Sequence, residues 1–178
     1  MDFVTERLAI GNSTDGRNRS TIKKLGVGAM LNVAADLDLA TVPGVEYAKV
    51  GLIDGPGNRP ETLVAAVAVL EHLLARHEKV VVVCHEGTSR SACVVAQCLV
   101  SLGEEKSFKG AMALVTSGKG LFPNKALTEC FVDTFEPKPK KVRRRDRETD
   151  AAPTADGSLD PEDDVEPEVS VDDRNPLG

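Results

Sequence analysis

The sequence predicts an α/β domain, with a mainly parallel central sheet flanked by helices, followed by a disordered C-terminal tail. Three observations carry that expectation. Short apolar runs alternate along the chain with apolar stripes at helical spacing, the pattern of strands crossing to helices and back. One run, Val80-Val-Val-Val83, is four consecutive β-branched residues. It has no polar face, so it belongs in the middle of a sheet covered on both sides. Finally, composition changes abruptly after Glu136. Residues 1–136 hold 14 basic and 16 acidic side chains, whereas residues 137–178 hold 8 and 12 with no aromatic ring.

The elements follow in order. Leu8-Ala-Ile10 is a short strand running into a Gly-Asn turn, and Ala29 to Val33 and Tyr47 to Val50 are two more. Pro60 opens a helix whose Leu63, Ala66, Val67, Leu70, Leu73 and Leu74 form one buried stripe. After Val80–Val83 and a loop at 84–90, Ser91 to Leu102 reads as a largely buried helix ending at Gly103. Phe108, Ala111, Met112 and Val115 give another stripe, and Lys125 to Phe135 a last helix. The domain therefore spans residues 1–136. Beyond it a cationic block, Lys138 to Arg147, precedes an acidic, Pro-bearing stretch from Asp150 to Asp173. Too few large aliphatics occur there to offset the entropy of ordering. The block reads either as a solvated tail neutralising the acidic stretch or as a nuclear-import or anion-docking segment.

Composition excludes several functions. The chain has 178 residues, a net charge of −6, and only five Phe and one Tyr. A base-stacking surface lacks its rings, and phosphate-backbone binding lacks its charge, so a nucleic-acid partner is not expected. No apolar run approaches the roughly 20 residues of a membrane-spanning helix. The opening MDFVTERLAIGN has neither the basic start nor the apolar stretch of an export signal, so a cytoplasmic location is expected. Cys84, Cys93, Cys98 and Cys130 form no CxxC pair, which suits a reducing compartment. His72 and His77, five positions apart, would sit about 140° apart on a helix and share no ligand face. Both read as solvated helix-surface residues. No metal and no cofactor is expected.

The informative segment is Val83-Cys84-His85-Glu86-Gly87-Thr88-Ser89-Arg90-Ser91. It joins the central strand to a helix, where unpaired N–H groups and the positive end of the helix dipole attract an anion. A cysteine at such a mouth has its thiolate stabilised. Arg90 can return a planar fork to two phosphate oxygens, Gly87 lets the backbone curl, and Ser91 puts a hydroxyl beside the sulfur. Cys-x5-Arg alone is a weak signal. Adding Gly at the third position and Ser at the seventh lowers the accidental rate to about one in a thousand. Cys93, Cys98 and Cys130 read as core thiols, with Cys93 close enough along the chain to be a disulfide partner of Cys84 on oxidation.

Cys84 to Ser91 resembles the signature loop of cysteine-dependent protein tyrosine phosphatases, specifically the compact dual-specificity branch. The likeness extends over most of residues 1–136. Leu8-Ala-Ile-Gly-Asn12, Leu25 to Val33, and Phe122-Pro-Asn124 before a helix are similar to other parts of that branch. The resemblance implies a cysteine-phosphatase fold, with Cys84 as nucleophile, Arg90 and the loop amides of His85, Glu86, Gly87, Thr88, Ser89 and Arg90 as phosphate ligands, and Ser91 stabilising the departing sulfur. It also implies a general acid on a mobile loop, for which Asp54 stands 30 positions ahead of Cys84 in Gly51-Leu-Ile-Asp-Gly-Pro-Gly57. The bland alternative for Asp54 is a turn residue, since Asp-Gly favours turns. Asn32 is expected either to brace the loop or to close a strand end. One departure stands out: the family usually has His before the cysteine, and here that residue is Val83. A less depressed thiol pKa, with slower turnover or a higher pH optimum, would follow.

The expected partner is a phosphorylated protein. Glu86 and the uncharged neighbours in the loop offer no extra cations for a polyphosphorylated inositol lipid, and RNA triphosphatase relatives generally dispense with an acid such as Asp54. Two other classes remain open: a non-catalytic phosphopeptide-binding relative, and sulfurtransfer or arsenate reduction at the same kind of loop.

Overall fold

A computed structural model describes residues 1–117 and 122–136. The segment 137–178, for which a disordered charged tail is expected, lies outside the described residues. The order of elements is β1 (Asp2–Phe3), β2 (Leu8–Gly11), α1 (Ser13–Arg17), α2 (Arg19–Lys24), β3 (Ala29–Ala34), β4 (Glu46–Leu52), α3 (Pro60–Arg76), β5 (Val80–Val83), α4 (Arg90–Ser101), α5 (Phe108–Thr116) and α6 (Lys125–Phe135). The five strands form one sheet in the order β1-β2-β5-β3-β4. Every pairing is parallel except β1 with β2.

The four valines of β5 take the central position, paired to β2 on one side and β3 on the other. All four are fully buried, as a run without a polar face requires. Helix α3 buries Leu63, Ala66, Val67, Leu70, Leu73 and Leu74, the stripe read from its spacing. Helix α4 is buried from Arg90 to Leu99, so it crosses the core rather than lying on it. Phe108, Phe131 and Phe135 stack in series where α5 meets α6.

Two short helices have no apolar stripe and are set by their caps instead. Asn12 accepts from the Asp15 amide while the Asp15 carboxylate accepts from the Asn12 amide, a reciprocal capping box that opens α1. Asn18 caps α2 by accepting from the Thr21 amide.

The histidines need one correction. His72 is exposed on α3 as expected, but His77 lies beyond the helix end and is only 23% exposed. Its Nε2 is 2.6 Å from Glu46 Oε2 at the start of β4, and this bond holds the Glu46 carboxyl below the usual carboxylate range. The helix stops at Arg76, one residue before the spacing argument assumed, which turns His77 towards the sheet. No described helix is long and apolar enough to cross a membrane.

Candidate active site

The carboxyl ends of β2, β5, β3 and β4 meet at one edge of the sheet, the edge where open α/β sheets place their ligands. Cys84 follows β5 there, and its amide donates to Gly11 O at the end of β2 (3.3 Å). The next residues curl around its sulfur. The Gly87 amide donates to Cys84 Sγ at 3.3 Å, and Ser91 Oγ lies 3.2 Å from the same atom. That turn needs φ = +73° at Gly87, and a Cβ there would stand 3.0 Å from the Gly11 backbone. Glycine is therefore required twice, for its conformation and for space. The loop is tied to α1 by the Ser13 amide, which donates to His85 O at 3.0 Å.

Helix α4 begins at Arg90, and Ser89 stands at its N-cap without making a side-chain cap bond. The first amides of the helix are thus left without that acceptor, at the positive end of its dipole. Ser89 Oγ instead donates to Asp54 Oδ1 at 2.6 Å and accepts from the Asn124 amide at 2.9 Å. Asn124 Nδ2 donates in turn to Asp54 O (3.2 Å). The structure therefore brings Asp54 onto the loop of Cys84. Asp54 itself is exposed, on a loop stapled by Asn58: its Oδ1 accepts from the Ile53 amide, and its Nδ2 donates to Ile53 O and Gly55 O.

Arg90 is 4% exposed. Its Nη1 donates to Asp36 Oδ1 and to Leu52 O (3.3 Å), while its Nε is buried with no partner among the described residues. The guanidinium beside Asp36 holds that carboxyl below the usual carboxylate range. Asp36 lies just past β3, on a turn that Asn32 organises. Asn32 Nδ2 donates to Leu37 O (2.8 Å) and to Tyr47 Oη (3.1 Å), and Asn32 Oδ1 accepts from the Ala34 amide (3.0 Å). Of its two expected roles, Asn32 takes the one at the strand end and makes no bond to residues 84–91.

His85 and Glu86 are exposed at the rim. Val83 is buried, and its Cγ1 would lie 3.2 Å from a Cβ at Gly16, so this position packs against α1. All four cysteines are free, and burial pushes the thiols of Cys93 and Cys98 up to about 12. Sequence reasoning missed Asp36, Asn58, Asn124 and the bridging role of the Ser89 hydroxyl. Asp36, Ser89 and Asn124 act across 54, 35 and 70 positions, which leaves no periodicity or spacing to find, and Asn58 staples its own loop through bonds that no regular spacing marks.

No family profile matches the chain, and no curated protein matches it. Solved structures do. Human DUSP28 gives a TM-score of 0.67 at 23% identity, covering 75% of this chain and 94% of that one. DUSP15 gives 0.65 at 12% identity, with 74% and 84% covered. The fold is that of the dual-specificity phosphatases. A human tyrosine phosphatase-like serine/threonine/tyrosine-interacting protein shares it too, with a TM-score of 0.63 at 17% identity over 74% of this chain and 92% of that one.

Proposed function

We propose that the protein is a cysteine-dependent phosphatase that hydrolyses phosphate monoesters on proteins, phosphotyrosine foremost and phosphoserine or phosphothreonine with it. One observation carries the reading: a sulfur ringed by the Gly87 amide and the Ser91 hydroxyl, on a loop that ends in a buried arginine whose Nε lacks an acceptor among the described residues. A tetrahedral dianion supplies the missing acceptor, and the uncapped start of α4 supplies further donors for it.

In this mechanism the Cys84 thiolate attacks phosphorus in line, forming an S–P bond as the ester P–O bond breaks. Asp54 gives its proton to the departing oxygen. The Ser89 hydroxyl already occupies Asp54 Oδ1, so Oδ2 is the oxygen that carries the proton. Arg90 and the loop amides hold the equatorial oxygens, where charge spreads in the transition state. Water then attacks the thiophosphate with Asp54 as base, and Ser91 Oγ donates to the sulfur as it leaves.

The charge at the rim supports a phosphoprotein over a polyanionic lipid or RNA end. Glu86 on the loop and Asp36 beside Arg90 are exposed by 82 and 61%. A second phosphate group would meet carboxylates.

The test is p-nitrophenyl phosphate and phosphotyrosine-peptide hydrolysis by wild type, Cys84→Ser and Asp54→Asn. Cys84→Ser is expected to abolish turnover. Asp54→Asn is expected to lower kcat on the phosphotyrosine peptide by roughly 10²–10⁴, the usual worth of a general acid, and on p-nitrophenyl phosphate by less. The interacting-protein neighbour suggests the other reading, a phosphopeptide-binding module. Wild type that binds phosphopeptide without hydrolysing it would establish that module instead.

A further inference from the structure

Arg90 is a buried cation whose bonds are distributed unevenly. Both recorded bonds leave Nη1, one to the Asp36 carboxylate and one to Leu52 O. Nε is buried with nothing to donate to among the described residues. A guanidinium fork offers a side-on edge running through Nε, which matches two oxygens of a phosphate. Fixing Nη1 on the opposite flank leaves that edge free and fixes its direction.

The acceptors on Nη1 are themselves held. Leu52 O also accepts from the Ala35 amide (3.1 Å), at the end of β4 where its register with β3 shifts. Asp36 sits on the turn that Asn32 braces from below, with Leu37 buried beside it. The carboxylate therefore arrives on a supported backbone, although its own side chain is 61% exposed and the Arg90 side chain only 5%. Removing it would leave a buried guanidinium facing one carbonyl and no counter-charge, which is costly at this depth.

We infer that Asp36 is a positioning residue for oxyanion binding: it holds Arg90 Nη1 so that the Nε edge is presented to the substrate phosphate before the substrate arrives. This rests on reading residues 84–90 as the phosphate cradle. Asp36 does not touch the phosphate. Its exposed charge is screened by water, so its repulsion of the dianion is outweighed by the orientation it gives a buried donor. The opposite physics is conceivable in the same geometry: a carboxylate that competes with phosphate for Arg90. The two make opposite predictions.

The experiment compares wild type, Asp36→Ala and Asp36→Asn for tungstate binding by calorimetry, for kcat and KM, and for the Arg90 Nε–Hε resonance. Asparagine keeps an oxygen that can accept from Nη1 but removes the charge. Asp36→Ala is expected to weaken tungstate binding about 10-fold and kcat/KM by about 10–100-fold, the range of a lost charge-assisted bond. Asp36→Asn is expected to stay within about 3-fold of wild type, since the bond survives. In wild type the Arg90 Hε signal should be resolved and shift on adding tungstate. In Asp36→Ala it should collapse towards the signals of solvent-exposed arginines.

Equal or tighter tungstate binding by Asp36→Ala would overturn the proposal in favour of competition. Asp36→Asn as poor as Asp36→Ala, with a melting temperature near wild type, would also overturn it, because placement would then not be the role. Failure of the phosphatase reading looks different: wild type itself would not turn over, whether or not it binds tungstate. The Arg90 resonance would still report whether Asp36 holds the side chain.

Discussion

The two sides of the site are held by different means. Around Cys84 the positions are fixed by main-chain bonds: Cys84 N to Gly11 O, Ser13 N to His85 O, and Cys93 N to Ser89 O. Around Asp54 they are fixed by side chains, Asn58 from its own loop and Ser89 and Asn124 from elsewhere. The first arrangement cannot relax without breaking main-chain bonds to β2, α1 and α4. The second can, because each bond breaks by one rotamer change at an exposed loop. In the mechanism proposed above, a nucleophile whose geometry is built once would therefore face an acid whose position is adjustable, which suits a group that donates a proton in one step and accepts it in the next.

The sharpest way to break this contrast is to put a methyl group on each side. Gly87→Ala meets both a left-handed backbone and the Gly11 main chain at 3.0 Å. Gly57, on the acid loop, has φ = +94° but open space within 4 Å. For Gly87→Ala, strain plus clash should cost about 2–3 kcal/mol of stability and move the loop off the sulfur. We expect at least a 100-fold loss in kcat/KM, with a melting temperature several degrees lower. Gly57→Ala carries the backbone strain alone, about 1–2 kcal/mol, and should keep most activity. Equal activity losses in the two variants would show that the sides do not differ in rigidity.

A smaller effect is expected from cutting the bridge between the sides. Ser89→Ala removes the hydroxyl that donates to Asp54 Oδ1 and accepts from the Asn124 amide. The cradle backbone stays, so tungstate affinity should hold. Turnover of alkyl or peptide phosphates, whose leaving groups need a proton, should fall about 10-fold, a fraction of the worth of the acid itself. Turnover of p-nitrophenyl phosphate, which leaves as a stable anion, should change little. A uniform loss across leaving groups would mean that Ser89 serves the cradle rather than the acid.

The same division decides what could be read in the sequence. Val80–Val83, the α3 stripe, the curl at Gly87 and the hydroxyl of Ser91 were legible, because each follows from local periodicity or from spacing within one segment. The placement of Asp54 against the cradle was legible through resemblance and chain distance. The caps at Asn12 and Asn18 open helices too short to show a stripe, and so escaped. Asp36 reaches Arg90 across 54 positions and Asn124 reaches Asp54 across 70, contacts that exist only once the sheet has ordered its strands. Asn32 shows the limit most clearly. Its residue type suits both expected roles, and only the path of the chain from Ala34 to Leu37 selects the strand end.

The smallest effect separates the two sides by pH. Cys93 and Cys98 lie in α4, the helix that carries the cradle, and burial raises both thiols to about 12. Both stay protonated in the fold at pH values where an unfolded thiol, near 9, has ionised. The stability this protonated state contributes is full below about pH 9 and declines as pH rises from there towards 12, because the unfolded chain then binds fewer protons. By pH 10 each thiol should cost about 1 kcal/mol of folding stability relative to pH 8. In urea unfolding, a Cys93→Ala/Cys98→Ala double variant should lose less stability between pH 8 and 10 than wild type, even if it starts lower from the cavities created. Alkali should therefore loosen the helix behind the cradle. Parallel pH curves for wild type and double variant would show that these thiols are more open to water than their burial indicates.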